Sequence, residues 1–170
     1  VTGSQPFWTL DLKVTQDTLV PRPDTEVLVE TVLKLDLPED ARVVDLGTGT
    51  GAIALSLASE RATWKITASD IYVPTLEVAQ FNAEKHDLNH VEFVLGSWLK
   101  PFGRQFFDAI VSNPPYIDAQ DVHMQALATE PRRALVAEQQ GLADLAEIIV
   151  NAKKHLTVNG WVVLEHGYDQ

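Results

Sequence analysis

The chain has no cysteine among its 170 residues. That absence excludes a disulfide framework and a thiolate metal site. Long apolar runs are missing too: none reaches the roughly 18 residues that a membrane-spanning helix needs. Val1 to Phe7 lack the basic and then apolar pattern of a secretory signal. The cytoplasm is therefore the expected compartment. Positive charge is scarce, with 13 Lys and Arg against 24 Asp and Glu, a formal net charge of −11. Nucleic-acid binders carry basic patches, because phosphate contacts supply most of their affinity. Here only Arg132-Arg133 and Lys153-Lys154 are adjacent basic pairs. Neither a tight duplex or RNA partner nor a membrane partner is expected. His86, His90, His123, His155 and His166 show no metal-ligand spacing, so no metal is expected either.

What is present suits one soluble domain: 45% of residues are apolar and 22% charged. A first methionine is lacking and the last residue, Gln170, directly follows a strand pattern, so both ends are expected to be incomplete. Trp8, Leu10, Leu12 and Val14 alternate with polar residues, which predicts a short half-buried strand or ribbon. After Pro21-Arg22-Pro23, a helix is predicted over Asp24 to Leu35, with Val27, Leu28, Thr31, Val32 and Leu35 on one face. We divide the chain into a ribbon, linker and lead-in helix over 1–35 and a main domain over 36–170.

In that second part strands and helices alternate. Strands are predicted over Arg42–Leu46, Trp64–Asp70, Val91–Leu95, Phe106–Ser112 and Trp161–Glu165. Helices are predicted over Gly51–Glu60, Pro74–His86 and Leu142–Leu156. Such alternation implies an α/β fold, a mainly parallel sheet with helices on both faces. Ligands of these sheets bind beyond the carboxyl ends of the strands. The motifs fall there.

Asp45-Leu46-Gly47-Thr48-Gly49-Thr50-Gly51-Ala52 leaves the first of these strands and opens a helix. Gly47, Gly49 and Ala52 also fit a dinucleotide fingerprint, so the loop alone is weak. Asp45 shifts the balance, because a carboxylate repels a pyrophosphate but suits the ammonium of S-adenosylmethionine. Asp70 ends the next strand, where an acid accepts hydrogen bonds from both ribose hydroxyls; the bland alternative is a cap on the following helix. Ile71 is placed against the adenine. Beyond the third strand, Gly96-Ser97-Trp98 stands where an acid would suit the amino group of an adenine. Ser97 is a weaker acceptor, and Trp98 reads equally well as core packing.

Ser112-Asn113-Pro114-Pro115-Tyr116 follows the fourth strand. An amide nitrogen is a poor nucleophile, because its lone pair is delocalised into the carbonyl. Methylating it requires the nitrogen to be held in line, with its N–H bonds on fixed acceptors. The Asn113 side-chain oxygen and the Pro114 carbonyl are the two candidates. Pro114 and Pro115 stiffen the loop, and Tyr116 offers a flat face to a planar substrate group. A proline turn is the plain alternative for this segment.

At this point the sequence resembles the HemK-type protein-(glutamine-N5) methyltransferases along nearly its whole length. The resemblance rests on Val20-Pro21-Arg22-Pro23-Asp24-Thr25-Glu26, on the loop Asp45 to Gly51, on Asn113-Pro114-Pro115-Tyr116-Ile117 and on Leu164-Glu165-His166-Gly167. It implies a class I, Rossmann-like methyltransferase fold. It also implies S-adenosylmethionine as cofactor, S-adenosylhomocysteine as product, and a glutamine in the Gly-Gly-Gln loop of a class I peptide-chain release factor as substrate. Asp45, Gly47, Thr48, Gly49, Gly51, Asp70, Ile71, Ser97, Trp98 and Asn113 would then contact the cofactor. Asn113, Pro114 and Tyr116 would meet the glutamine, and Arg22 and Glu26 would lie near the pocket mouth. For the last two, a helix-start arginine and a first-turn glutamate are the alternatives. A monomer is favoured.

The chain departs from the family at Ser97 and in a shortened segment before Glu130-Pro131. The family's N-terminal helical domain and final hairpin are expected to lie outside this span. The Asn-Pro-Pro-Tyr sequence is shared with adenine-N6 and guanine-N2 methyltransferases, which leaves a nucleic-acid enzyme as the alternative, against the acidic charge. A nicotinamide oxidoreductase shares only the glycine loop. A non-enzymatic scaffold would tolerate loss of Asn113 or Asp70, and both are kept.

Overall fold

A computed structural model describes residues 3–115, 117–118, 136–137, 142–167 and 170. Five strands form one parallel sheet: β3 (Arg42–Leu46), β4 (Lys65–Asp70), β5 (Glu92–Leu95), β6 (Phe107–Ser112) and β9 (Leu156–Leu164). Their order across the sheet is β5-β4-β3-β6-β9. The chain thus builds outward from β3 to one edge, returns to the other side of β3, and continues to the opposite edge. The strand order reverses between β3 and β6, the place where open α/β sheets bind ligands. Two shorter pairs complete the strands: the hairpin β1 (Ser4–Phe7) and β2 (Leu10–Lys13), and the parallel pair β7 (Ile117–Asp118) and β8 (Val136–Ala137).

The central strands are buried on both faces, which is why they read as apolar runs rather than as an alternation. Successive residues serve opposite sides. Val43, Ala109 and Val111 join a core with the hairpin, α1 (Glu26–Leu33), α2 (Ala52–Glu60) and α3 (Val73–Lys85). Val44, Leu46 and Ile110 join a second core with Ile148 and Ala152 of α4 (Ala143–Ala152) and with Leu99 and Phe102. In α2 every residue from Ala52 to Ala58 is buried, so small side chains let the helix lie close to the sheet.

Four expectations need correction. Trp8 does not continue the strand of Leu10, Leu12 and Val14; it sits in the hairpin turn at φ 54°. There its backbone N–H donates to Glu26 Oε1 and its indole N–H to Glu60 Oε1, both at 2.8 Å. The first helix begins as a 3₁₀ turn over Pro23–Thr25, and the α-helix proper ends at Leu33. Its buried face is Leu28, Val29 and Val32, while Val27 and Thr31 face outward, the Thr31 hydroxyl donating to the Val27 carbonyl.

The last helix stops at Ala152, because the next residues turn to meet the sheet: Phe107 N–H donates to the His155 carbonyl at 2.8 Å. The last strand starts at Leu156, not Trp161. Phe107 pairs with Leu156 and Ala109 with Trp161, so β9 carries an excursion around Asn159, which has φ 65°. Asn159-Gly160 turns within the strand.

Candidate active site

The glycine loop leaves β3 at the switch point and is fastened to its neighbours. Thr48 N–H donates to the Ser69 carbonyl at 2.8 Å, and Gly96 N–H to the Asp70 carbonyl at 2.9 Å. The Ser112 hydroxyl donates to the Leu46 carbonyl at 2.6 Å, tying β6 to the loop's root. Asn82, fully buried on α3, spans a wider gap. Its amide donates to the Thr50 and Lys13 carbonyls at 2.9 and 3.1 Å, and its oxygen accepts Lys13 N–H at 2.7 Å. Hairpin and cofactor-loop region are therefore held by one side chain.

Above these strand ends lies a cavity of about 340 Å³. That is within the range of small-molecule sites. The loop contributes Gly47 and Gly49 to its wall, β4 and the following residues contribute Asp70 and Ile71, and β5 leads to Ser97 and Trp98. Asn113 and Pro115, just beyond the end of β6, close another side. Gly47 has φ 70°, and a Cβ there would stand 3.2 Å from the Trp98 ring. The indole thus packs on the loop as well as lining the cavity, which bears out the packing reading of Trp98. Trp98 itself is held at φ 46°, a left-handed conformation uncommon for a bulky residue.

Asp70 is 8% exposed, with its carboxylate at the wall. Oδ2 accepts Gly49 N–H at 3.2 Å and Oδ1 accepts Tyr72 N–H at 3.0 Å. A carboxylate offers about four lone-pair sites, so hydroxyls entering the cavity can bond to it while the loop remains held. Asp17, Asp144 and Glu147 add three further acidic side chains to the lining. Glu147 pairs with Lys100 at 2.8 Å. The wall favours a cationic ligand over a phosphate.

Asp45 takes a place other than the one its type suggested. It is fully enclosed behind the loop and does not line the cavity. Its Oδ2 accepts the Thr48 hydroxyl at 2.6 Å and Ala54 N–H at 3.2 Å. Burial pushes its pKa up to about 7 against the lowering effect of those two donors, with a smaller upward push from Asp70. Asp45 holds the loop to the start of α2. Thr48 and Gly51 are likewise buried behind the wall.

Asn113 Nδ2 donates to the Thr25 hydroxyl at 3.0 Å, and among the described residues its Oδ1 has no partner. Pro114 is buried, and Tyr116 lies outside the described residues, as do Thr129, Glu130 and Pro131. Arg22 and Glu26 do not line the cavity. The Arg22 carbonyl accepts Thr25 N–H at 3.1 Å, and the Glu26 carboxylate receives the Trp8 backbone. Both bear on the lead-in segment.

Residues 23–141 match the model of a family described as the methyltransferase small domain. The chain belongs to this family. Among curated relatives, the release factor glutamine methyltransferase of Coxiella burnetii is 48% identical over all of this chain and 62% of its own length. That of Shewanella oneidensis is 47% identical over all of this chain and 60% of its own. The chain therefore spans 60–62% of the length of these relatives. A solved methyltransferase from Pyrococcus furiosus superposes with a TM-score of 0.66 at 23% identity, over 91% of this chain and 68% of that one. At that identity the likeness speaks for the fold, which is the class I methyltransferase fold.

Several wall residues have no counterpart in the sequence analysis: Asp17, Thr18 and Leu19 before the lead-in helix, Thr75 on α3, and Asp144 and Glu147 on α4. No motif marks them. For Thr75 and Asp144 the signal was topological, since the start of a helix after a strand faces the ligand-binding end of the sheet. Among the described residues no group of three or more His, Cys, Asp or Glu side chains is placed to hold a metal, and no helix is long and apolar enough to cross a membrane.

Proposed function

We propose that this chain is the core of an S-adenosylmethionine-dependent enzyme that methylates the side-chain nitrogen of a glutamine in a class I peptide-chain release factor. The observation that carries this reading is the 48% identity, over the whole chain, to a release factor glutamine methyltransferase. The site is compatible in its chemistry. Bound S-adenosylmethionine supplies a methyl group on a positively charged sulfur, which suits a cavity lined by carboxylates.

The ribose hydroxyls fall to Asp70, whose carboxylate is fixed by Gly49 and Tyr72 N–H groups. Gly47 and Gly49 give the backbone a close approach, and Ile71, Ser97 and Trp98 form the wall assigned to the adenine. Asn113 Oδ1 accepts an N–H of the incoming carboxamide and orients the nitrogen lone pair. The Pro114 carbonyl is assigned the second N–H. As the methyl carbon–sulfur bond breaks and the carbon–nitrogen bond forms, these acceptors would face the positive charge developing on nitrogen, which then gives up its proton to solvent. Asp45, behind the loop, shapes the cofactor site without touching it. Residues 36–170 carry the glycine loop, Asp70 and Asn113, and residues 1–35 add the lead-in with Asp17, Thr18 and Leu19 of the wall. A release-factor substrate places the enzyme in the cytoplasm.

The test is to incubate the full-length enzyme with a purified release factor and S-adenosylmethionine. Mass spectrometry of the peptide with the Gly-Gly-Gln loop should show one added methyl group on the glutamine. An unmodified peptide under conditions where the cofactor binds would refute the substrate assignment.

A further inference from the structure

We propose that Thr25 is a positioning residue that sets the orientation of the Asn113 carboxamide. The two side chains come from segments 88 residues apart and meet through Asn113 Nδ2 and Thr25 Oγ1 at 3.0 Å. Thr25 is 4% exposed, so this contact is sheltered from competing water. It is the only side-chain hydrogen bond of either residue among the described residues.

A carboxamide has an acceptor at one end and a donor at the other, with nearly the same shape. Rotation by half a turn would present Nδ2 to the cavity, where it would oppose a substrate NH₂ instead of accepting from it. Pro114 and Pro115 restrain the backbone of the loop but not this side-chain torsion. The Thr25 hydroxyl fixes the plane of the carboxamide at its buried end. A hydroxyl can accept or donate, so it is the incoming N–H donor that selects the arrangement seen, with Nδ2 on Thr25 and the oxygen left for the cavity.

Thr25 belongs to the 3₁₀ turn after Pro23, and its backbone N–H is bonded to the Arg22 carbonyl. The arginine-proline-acid stretch therefore acts on the reaction through the side chain it delivers to Asn113, although Arg22 and Glu26 themselves do not line the cavity.

This inference rests on Asn113 being the acceptor for the substrate nitrogen. Its test uses the full-length enzyme with four variants: Thr25→Val, Thr25→Ser, Asn113→Ala and the double variant Thr25→Val/Asn113→Ala. Valine keeps the shape and removes the hydroxyl. Thr25→Val should lower kcat by roughly 10–100-fold, the scale of a misplaced catalytic group, while S-adenosylhomocysteine binding measured by calorimetry is unchanged. Thr25→Ser should recover most of the rate. The side-chain amide NMR signal of Asn113, identified by its loss in Asn113→Ala, should move in Thr25→Val and return in Thr25→Ser. In the Asn113→Ala background, Thr25→Val should add nothing, because the two residues act as one unit.

A full rate in Thr25→Val beside an impaired Asn113→Ala would overturn the positioning role alone. So would losses that multiply in the double variant, or a serine variant as slow as valine. A full rate in Asn113→Ala would instead remove the acceptor reading on which the inference stands.

Discussion

The Asp70 carboxylate and the Gly49 backbone N–H stand 3.2 Å apart and join the end of β4 to the glycine loop. One residue therefore shapes the cofactor loop and presents an acceptor to the cavity. Asp70→Ala should weaken S-adenosylmethionine binding by about 10–100-fold, since hydrogen bonds to a charged group contribute roughly 1.5–3 kcal/mol. Calorimetry on the purified core measures this directly. Affinity equal to wild type would remove Asp70 from the site, and tight NADH binding with no response to S-adenosylhomocysteine would overturn the cofactor.

Asn113 should behave oppositely, because the proposed function assigns its Oδ1, unpartnered among the described residues, to the substrate nitrogen. Asn113→Ala should leave cofactor affinity unchanged while methyl transfer falls about 10²–10³-fold, the scale for losing one preorganised polar group. Asn113→Asp should keep partial activity: a carboxylate still accepts, and the Thr25 hydroxyl can turn to donate to it. Single-turnover rates beside binding isotherms separate the two effects.

The sheet was legible because buried parallel strands announce themselves as apolar runs, and β3 was read to the residue. Gly47, Gly49, Asp70, Ser97 and Asn113 could be placed on one cavity wall because each lies at or just beyond the carboxyl end of a strand. Asp45 was misplaced for a physical reason: residue type indicates charge but not depth, and here the carboxylate points behind its loop. The Thr25–Asn113 pair was invisible, since 88 residues separate two polar side chains that only folding brings together. The excursion in β9 also escaped, because an Asn-Gly turn inside a strand has the same local signature as one that precedes it.

Asn82 offers a prediction about stability. Its side chain satisfies Lys13 N–H and the Lys13 and Thr50 carbonyls in a fully buried position. Asn82→Ala strands these groups, so unfolding free energy should drop by about 3 kcal/mol, given a cost of 1–3 kcal/mol for a buried polar group left unmade. Urea titration reads the change. A loss within experimental scatter would mean that water replaces the side chain.

Asp45 gives a pH dependence with a definite sign. Its folded pKa, near 7, lies above the ordinary 3.8. Between these values the folded chain holds a proton that the unfolded chain has released, so stability falls as pH rises. The contribution is complete below pH 3.8, is lost progressively up to about 7, and is flat above. In Asp45→Asn this slope should vanish, while other carboxylates titrate alike in both proteins and cancel. The difference in unfolding free energy between wild type and variant should therefore tilt across that window. A difference independent of pH would show that Asp45 is ionised throughout.

The last prediction concerns substrate class. A pocket for glutamine must take a neutral, flat carboxamide delivered by a protein, and that task requires no phosphate neutralisation. This agrees with the net charge of −11 and with the acidic cavity wall. A nucleic-acid substrate would instead make activity fall steeply with salt, because each neutralised phosphate releases condensed counterions. Methylation of a release factor by the full-length enzyme should therefore depend only modestly on salt. Replacing the acceptor glutamine by asparagine should abolish transfer, because one methylene less withdraws the nitrogen from Asn113. Efficient methylation of DNA or RNA with release factors untouched would overturn the substrate assignment. The placement of Asp70 and Asn113 on one cavity wall would survive that outcome, since both enzyme classes need the cofactor and an oriented nitrogen.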